Sequence, residues 1–211
     1  MTLGKSDVKE ALLHLEKDPV LKKLVQEYDL PSFSQWTKTD DLFATLIRAI
    51  VNQQLSGKAA DTILGRFKNL YKNSFPTPLQ ILKTSDEKMR GCGLSYSKIS
   101  YIKGLSQAVN DGSLDLEKLP ILSDEEVITE LTKLKGIGRW TAEMILIFSL
   151  NRPDVFSLGD LGLCTAVSKL YNVDRKNLKK IEKISLRWSP HRSIACWYLW
   201  RSLDNRPKVT E

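Results

Sequence analysis

An all-α fold is what this sequence predicts, and three observations carry the prediction. Apolar residues recur at helical spacing over almost the whole chain. Residues that start and stop helices stand at the ends of those periodic segments. No alternating strand pattern of useful length, internal repeat or low-complexity tract interrupts them.

The elements follow in order. Val8, Leu12, Leu15, Val20 and Leu24 place one or two helices between Lys5 and Tyr28, with a break at Pro19 and a stop at Pro31-Ser32-Phe33. Leu42, Leu46 and Ile50 make a strongly apolar helix within Asp40 to Gln54, capped by Asp40 or Asp41. Ser56 opens the next helix, which runs to Tyr71. Thr77 before Pro78 is a cap with proline in the first helical position, and short helices are expected over Pro78 to Leu82 and Asp86 to Gly91. A long helix spans Ser95 to Asp111 and stops at Gly112, and Ser123 with Glu126 forms a capping box for the segment to Lys133. Further helices are expected from Arg139 to Leu150, from Asp160 to Tyr171, and onward from Arg175 and from Pro190.

Composition narrows the function classes. A chain of 211 residues, 42% hydrophobic, can bury the core of one domain or of two closely joined lobes. Thirty-two Lys and Arg against 25 Asp and Glu give +7, which favours a polyanion or an anionic surface, and nucleic acid is the expected partner. No apolar run reaches the roughly 18 residues of a membrane span, and the start MTLGKSDVKE lacks a signal-peptide core. An intracellular protein with no membrane partner is expected, nuclear in a eukaryote and cytoplasmic otherwise. Cys92, Cys164 and Cys196 are odd in number and far apart, which fits reduced thiols better than a disulfide framework or a zinc site. His14 and His191 are too few for a histidine metal centre or a catalytic triad. No metal held by side chains is expected.

The segment LKGIGRWTAEMI, Leu134 to Ile145, holds two glycines one residue apart between helical segments. Glycine serves where φ must be positive or where another backbone must come close. Outward-pointing amides backed by a helix N-terminus can hold a phosphate oxygen without reading sequence. Ile137 between the glycines can pin the turn to the body of the protein. A plain helical hairpin with a Schellman-type stop would carry the same two glycines.

This hairpin, followed by DVFSLGDLGL with Asp160, resembles the helix-hairpin-helix, Gly/Pro-rich loop and aspartate signature of the DNA glycosylase superfamily. AIVNQQLSGKAA, Ala49 to Ala60, and RWSPHRSIACWYLW, Arg187 to Trp200, are similar to segments of its alkylated-base branch, the 3-methyladenine DNA glycosylase II type. The resemblance covers Asp40 to Leu203, without the N-terminal β domain of some members. It implies two helical lobes with a DNA-binding cleft between them. Asp40 to Leu150 would form the central lobe, and residues 1–39 with 151–211 the other.

The resemblance also implies roles. An enzyme that acts on a base inside a duplex must rotate it out of the stack, which calls for an anchor, a wedge, a pocket and a catalytic group. Gly136, Gly138 and Thr141 would anchor the backbone, with Lys58 at a further phosphate. The carbonyls of Leu134 and Gly136 would offer a place for Na+ or K+, no other cofactor being implied. Gln54 and Leu55 would be the intercalating wedge, although Gln53 and Gln54 could equally cap the preceding helix. Trp140 and Trp200 would form the pocket for a cationic alkylated base, the alternative being that all five tryptophans are packing residues. Trp188, Trp197 and Tyr198 read as structural. Asp160 would stabilise oxocarbenium character at the sugar and orient water. A helix cap at the same place would look identical, and Asp154 and Ser157 read as loop and cap residues.

In the strand-cutting branch the residue after Gly-x-Gly-Arg is a Schiff-base lysine; here it is Trp140, and the four-cysteine iron–sulfur loop of other relatives is missing. A monofunctional, hydrolytic glycosylase acting as a monomer on damaged double-stranded DNA is therefore expected. Gly159 and Gly162 flank Asp160 where many relatives carry a second acid or a bulkier residue. That leaves open a catalytically weak homologue that binds damaged or abasic-site DNA, or a general DNA-binding scaffold.

Overall fold

Helix capping decides where this chain folds locally. The computed structural model describes residues 5–29 and 41–204, with side chains from Val8 onward. Among them every regular element is helical. Asp40 as a cap, the stop at residues 31–33 and Trp36 lie outside the described residues.

One compact unit is Thr39–Ala142, and the chain on either side of it makes the second. The division falls inside a helix, eight residues before the Leu150 boundary that the family resemblance implied.

Within Thr39–Ala142, α3 (Leu42–Asn52) starts where the Asp41 carboxylate accepts from the Ala44 amide at 2.8 Å. It buries Phe43, Leu46, Ile47, Ile50 and Val51. Helix α4 (Gly57–Asn69) follows Ser56 and buries Leu64 and Phe67. Two short helices, α5 (Pro78–Lys83) and α6 (Asp86–Gly91), start at Thr77 and Ser85, the first through a full capping box with Gln80. The long helix α7 (Tyr96–Asn110), capped by Ser95, packs on α3, α5 and α6 through Ile99, Ile102 and Leu105. After a 3-10 turn at Leu119–Ile121 comes α8 (Asp124–Thr132), with the expected Ser123–Glu126 capping box. Helix α9 (Arg139–Phe148) leaves the hairpin.

The second unit contains α1 (Lys5–Leu15) and α2 (Pro19–Glu27). The break expected at Pro19 is a start: Asp18 caps α2 and proline takes its first position. The unit continues with α10 (Leu161–Tyr171), α11 (Leu178–Ser185) and α12 (Arg192–Leu203). Helix α11 begins at an Asn177 cap, three residues later than Arg175, because the Asn177 side chain takes the Lys180 amide. Asp18, 5% exposed, accepts from Tyr171, Trp188 and Arg187 and so joins the start of α2 to Tyr171 and to the 3-10 turn Leu186–Trp188. The charge is compensated by donors on every side, as burial of a carboxylate requires.

The stretch between α9 and α10 is held by the start of α12. Ser193 donates to the Arg152 carbonyl at 2.6 Å and accepts from the Val155 amide at 3.0 Å. Arg192 binds the Asp154 carboxylate through two nitrogens, at 2.7 and 3.0 Å, and Ser189 donates to it at 2.8 Å. Asp154 is thus the residue through which Arg192 and Ser189 hold this loop. The loop ends at Asp160.

Candidate active site

The hairpin separates its two glycines by function. Gly136 has φ +88°, and a Cβ there would lie 2.3 Å from the Tyr101 ring. Backbone conformation and the close ring both demand glycine. Gly138 has no such need: nothing in the protein comes within 4 Å of a Cβ built on it, and it is exposed. Ile137, 4% exposed, pins the turn inward as expected. Arg139 does not reach outward as a lone cation, since it pairs with Glu125 of α8 at 2.7 Å and holds that carboxyl below its usual range. Thr141, in the first turn of α9, is 6% exposed.

The segment between α3 and α4 is built from the same unit. Gln53 ends α3, but its side chain does not cap that helix; Nε2 donates to the Gly136 carbonyl at 2.6 Å. Lys98 of α7 does the capping, donating from Nζ to the Val51 and Gln53 carbonyls at 2.8 Å each. Gln54 is exposed and sits at φ 57°, a left-handed conformation that costs a non-glycine residue roughly 1–2 kcal/mol. Leu55 beside it is 37% exposed. Lys58 is exposed in the first turn of α4, a helix start with no acidic residue and no side-chain cap. The first amides of such a helix donate readily to an anionic oxygen. Trp140, in the first turn of α9, is 47% exposed and so is not a core tryptophan.

A cation at the hairpin carbonyls meets competition. The Leu134 carbonyl accepts from the Ile137 amide at 3.1 Å, and the Gly136 carbonyl from Gln53. The expected pair thus already accepts donors from the protein.

The second unit presents the acid. Asp160 is 9% exposed and is the helix cap that the sequence allowed. Its Oδ1 caps α10 by accepting from the Leu163 amide at 2.7 Å, and it also accepts from the Trp200 indole Nε1 at 3.1 Å. The helix N-terminus complements its charge. Trp200 is half-buried and stacks on Phe148 with ring centroids 5.6 Å apart. Gly162 makes this fit: a Cβ there would lie 3.1 Å from Asp160 Oδ1 and 3.3 Å from the indole. The flanking glycine that placed the site in doubt is what allows acid and indole to meet.

Sequence reasoning missed Glu143. It is 5% exposed, and its carboxylate accepts a hydrogen bond from Ser157, which is itself fully buried. The Ser157 carbonyl accepts the Asp160 amide at 3.2 Å, so Glu143 steadies the turn that presents the acid. A glutamate inside the apolar run AEMILIF was the available signal. Burial pushes the Cys196 thiol well up, with the charges of Asp160 and Glu143 adding to the effect; Cys164 is raised by burial and by Asp160. Both are inert thiols beside the acid, not nucleophiles. Among the described residues no group of three or more His, Cys, Asp or Glu side chains could hold a metal. Trp188 is fully buried and Tyr198 1% exposed, in agreement with structural roles.

Among the described residues every regular element is helical, the glycine hairpin is exposed, and the aspartate is capped and bound by an indole, the arrangement of a helix-hairpin-helix chain. Residues 47–191 match the family model described as the HhH-GPD superfamily base excision DNA repair protein, and the chain belongs to that family. It is 42% identical over 185 residues to the DNA-3-methyladenine glycosylase 1 of Schizosaccharomyces pombe, covering 86% of this chain and 80% of that protein. The solved S. pombe 3-methyladenine DNA glycosylase (Mag1) in complex with abasic DNA superimposes with a TM-score of 0.81 at 37% identity, covering 95% of this chain and 100% of that one. A DNA-3-methyladenine glycosidase from Bacillus halodurans gives 0.80 at 36% identity, covering 97% and 92%.

Proposed function

We infer that this chain is a DNA N-glycosylase of base-excision repair that removes alkylated purines of the 3-methyladenine and 7-methylguanine type from duplex DNA. The observation that carries the reading is Asp160, nearly buried and fixed by the Leu163 amide and the Trp200 indole in a chain of this family.

The chemistry follows from these residues. Alkylation at a ring nitrogen makes the base cationic and a good leaving group, so one acid suffices. As the N-glycosidic bond lengthens, positive charge grows on the sugar, and the Asp160 carboxylate stabilises it. The same carboxylate orients water or accepts its proton as the new C–O bond forms. Trp140 and Trp200 offer aromatic faces that favour a cationic ring by about 0.5–2 kcal/mol each. Gly136 and Gly138 with Lys58 hold the backbone, and Gln54 with Leu55 enters the vacated stack. Because Trp140 stands where a Schiff-base lysine would act, water is the nucleophile and an abasic site is the product. The enzyme is proposed to work as an intracellular monomer. A monovalent cation at the hairpin would show as a difference in DNA affinity between K+ and Li+ at equal ionic strength.

Chromatography of bases released from alkylated duplex DNA tests the function. Free alkylated purine is expected, with the strand intact until alkali is added. No release, together with tight binding to an abasic-site duplex, would replace the enzyme with a damage binder.

A further inference from the structure

Three contacts inside the Thr39–Ala142 unit tie the segment 53–55 to the glycine hairpin. Gln53 Nε2 donates to the Gly136 carbonyl across 83 residues of sequence. Lys98 Nζ holds the carbonyls of Val51, in the last turn of α3, and of Gln53, its C-cap, where a cation also complements the helix C-terminus. Tyr101 lies three residues after Lys98 on α7, one turn along the same helix face. Its ring occupies the space that a Cβ of Gly136 would need.

One helix therefore abuts both the end of α3 and the hairpin turn, and one amide bridges them. Burial lowers the Lys98 pKa, as befits an ammonium that gave up water for two carbonyls. The conformation of Gln54, left-handed with its side chain exposed, begins right after the residue that these contacts fix. A strained residue persists only where its surroundings over-determine it.

We propose that Gln53, Lys98 and Tyr101 are positioning residues that hold the probe at Gln54 and Leu55 in fixed register with the backbone anchor at Gly136 and Gly138. The spacer makes lesion probing and phosphate gripping one event. A probe set at a constant offset from a gripped phosphate meets the stack at one defined base step, which a freely moving loop would not. The inference rests on the reading that both segments engage the same duplex.

The test is a double-mutant cycle on abasic-site duplex affinity, with 2-aminopurine beside the lesion reporting probe insertion. Gln54→Ala removes the probe, and Gly138→Ala obstructs the anchor without touching protein atoms. In the wild-type background the two losses should be non-additive by at least about threefold. In Gln53→Glu, which keeps the side-chain volume but turns a donor into an acceptor facing the Gly136 carbonyl, additivity is expected, with a weaker 2-aminopurine signal. Lys98→Met should act alike and Lys98→Arg should restore much of the coupling, each variant being checked for a melting temperature close to wild type. Unchanged non-additivity in folded Gln53→Glu and Lys98→Met would overturn the spacer while leaving the glycosylase reading intact. A wild-type protein with no preference for abasic over undamaged duplex would overturn both.

Discussion

The cap that Asp160 provides for α10 and the catalysis proposed for it can be separated by substitution. Asparagine caps helices as well as aspartate does, so Asp160→Asn should leave the melting temperature within a few degrees while removing the charge that the proposed catalysis needs. Gly162→Ala tests the fit beside it. A methyl group 3.1 Å from Oδ1 and 3.3 Å from the indole forces one of them aside by a few tenths of an ångström. A fall in kcat of about tenfold or more is expected with little change in stability, because small misplacements at a reacting centre are costly. An unchanged kcat would show that the Trp200–Asp160 contact is incidental. The acid was legible in the sequence through its family motif, but its indole partner lies 40 residues away and no spacing rule reveals it. Glu143 was hidden for a similar reason: only folding shows that its charge points at Ser157.

The hairpin shows what a motif leaves unsaid. Two glycines in Gly-Ile-Gly look equivalent, yet Gly136 answers to Tyr101 and a positive φ, and Gly138 to nothing in the protein. Gly136→Ala should lose more than the ~1–2 kcal/mol of the left-handed conformation, because it also strikes the Tyr101 ring. Gly138→Ala should unfold like wild type, with its defect confined to DNA affinity. Thermal melts and binding isotherms of the two variants check this, and equal melting temperatures would contradict it. Start signals read from sequence matched α5, α7 and α8 because a cap is a local hydrogen bond between neighbours. The role of Gln53 was not legible, since its bond runs to a carbonyl 83 residues on. The loop before Asp160 gives a pH prediction. Burial pushes the Asp154 carboxyl up, but hydrogen bonds from Arg192 and Ser189 outweigh that and hold it below its ordinary value. Its contribution is therefore complete above the unfolded value of about 3.9 and is lost as pH falls through the lower folded value. Asp154→Asn should cost about 1–3 kcal/mol at pH 7, and its deficit against wild type should shrink below about pH 4.

At the scale of the molecule, a net charge of +7 and exposed anchor residues make DNA affinity an electrostatic quantity. Affinity should fall steeply with salt, with a log–log slope of roughly −0.9 per phosphate neutralised; a flat salt dependence would deny the nucleic-acid partner. The all-helical class was legible because helical periodicity and capping are short-range signals, repeated in every segment. The division of the chain was harder to read: it falls at Ala142, inside α9, where no glycine, proline or polar run marks a boundary. Asp160 is proposed to perform hydrolysis in a chain that belongs to a base-excision repair family. Single-turnover release of 3-methyladenine from duplex DNA by wild type and by Asp160→Asn measures it most directly. Release by the wild type that falls by at least about 100-fold in Asp160→Asn, with fold and DNA affinity retained, is the predicted result. Equal rates in the two proteins would contradict it.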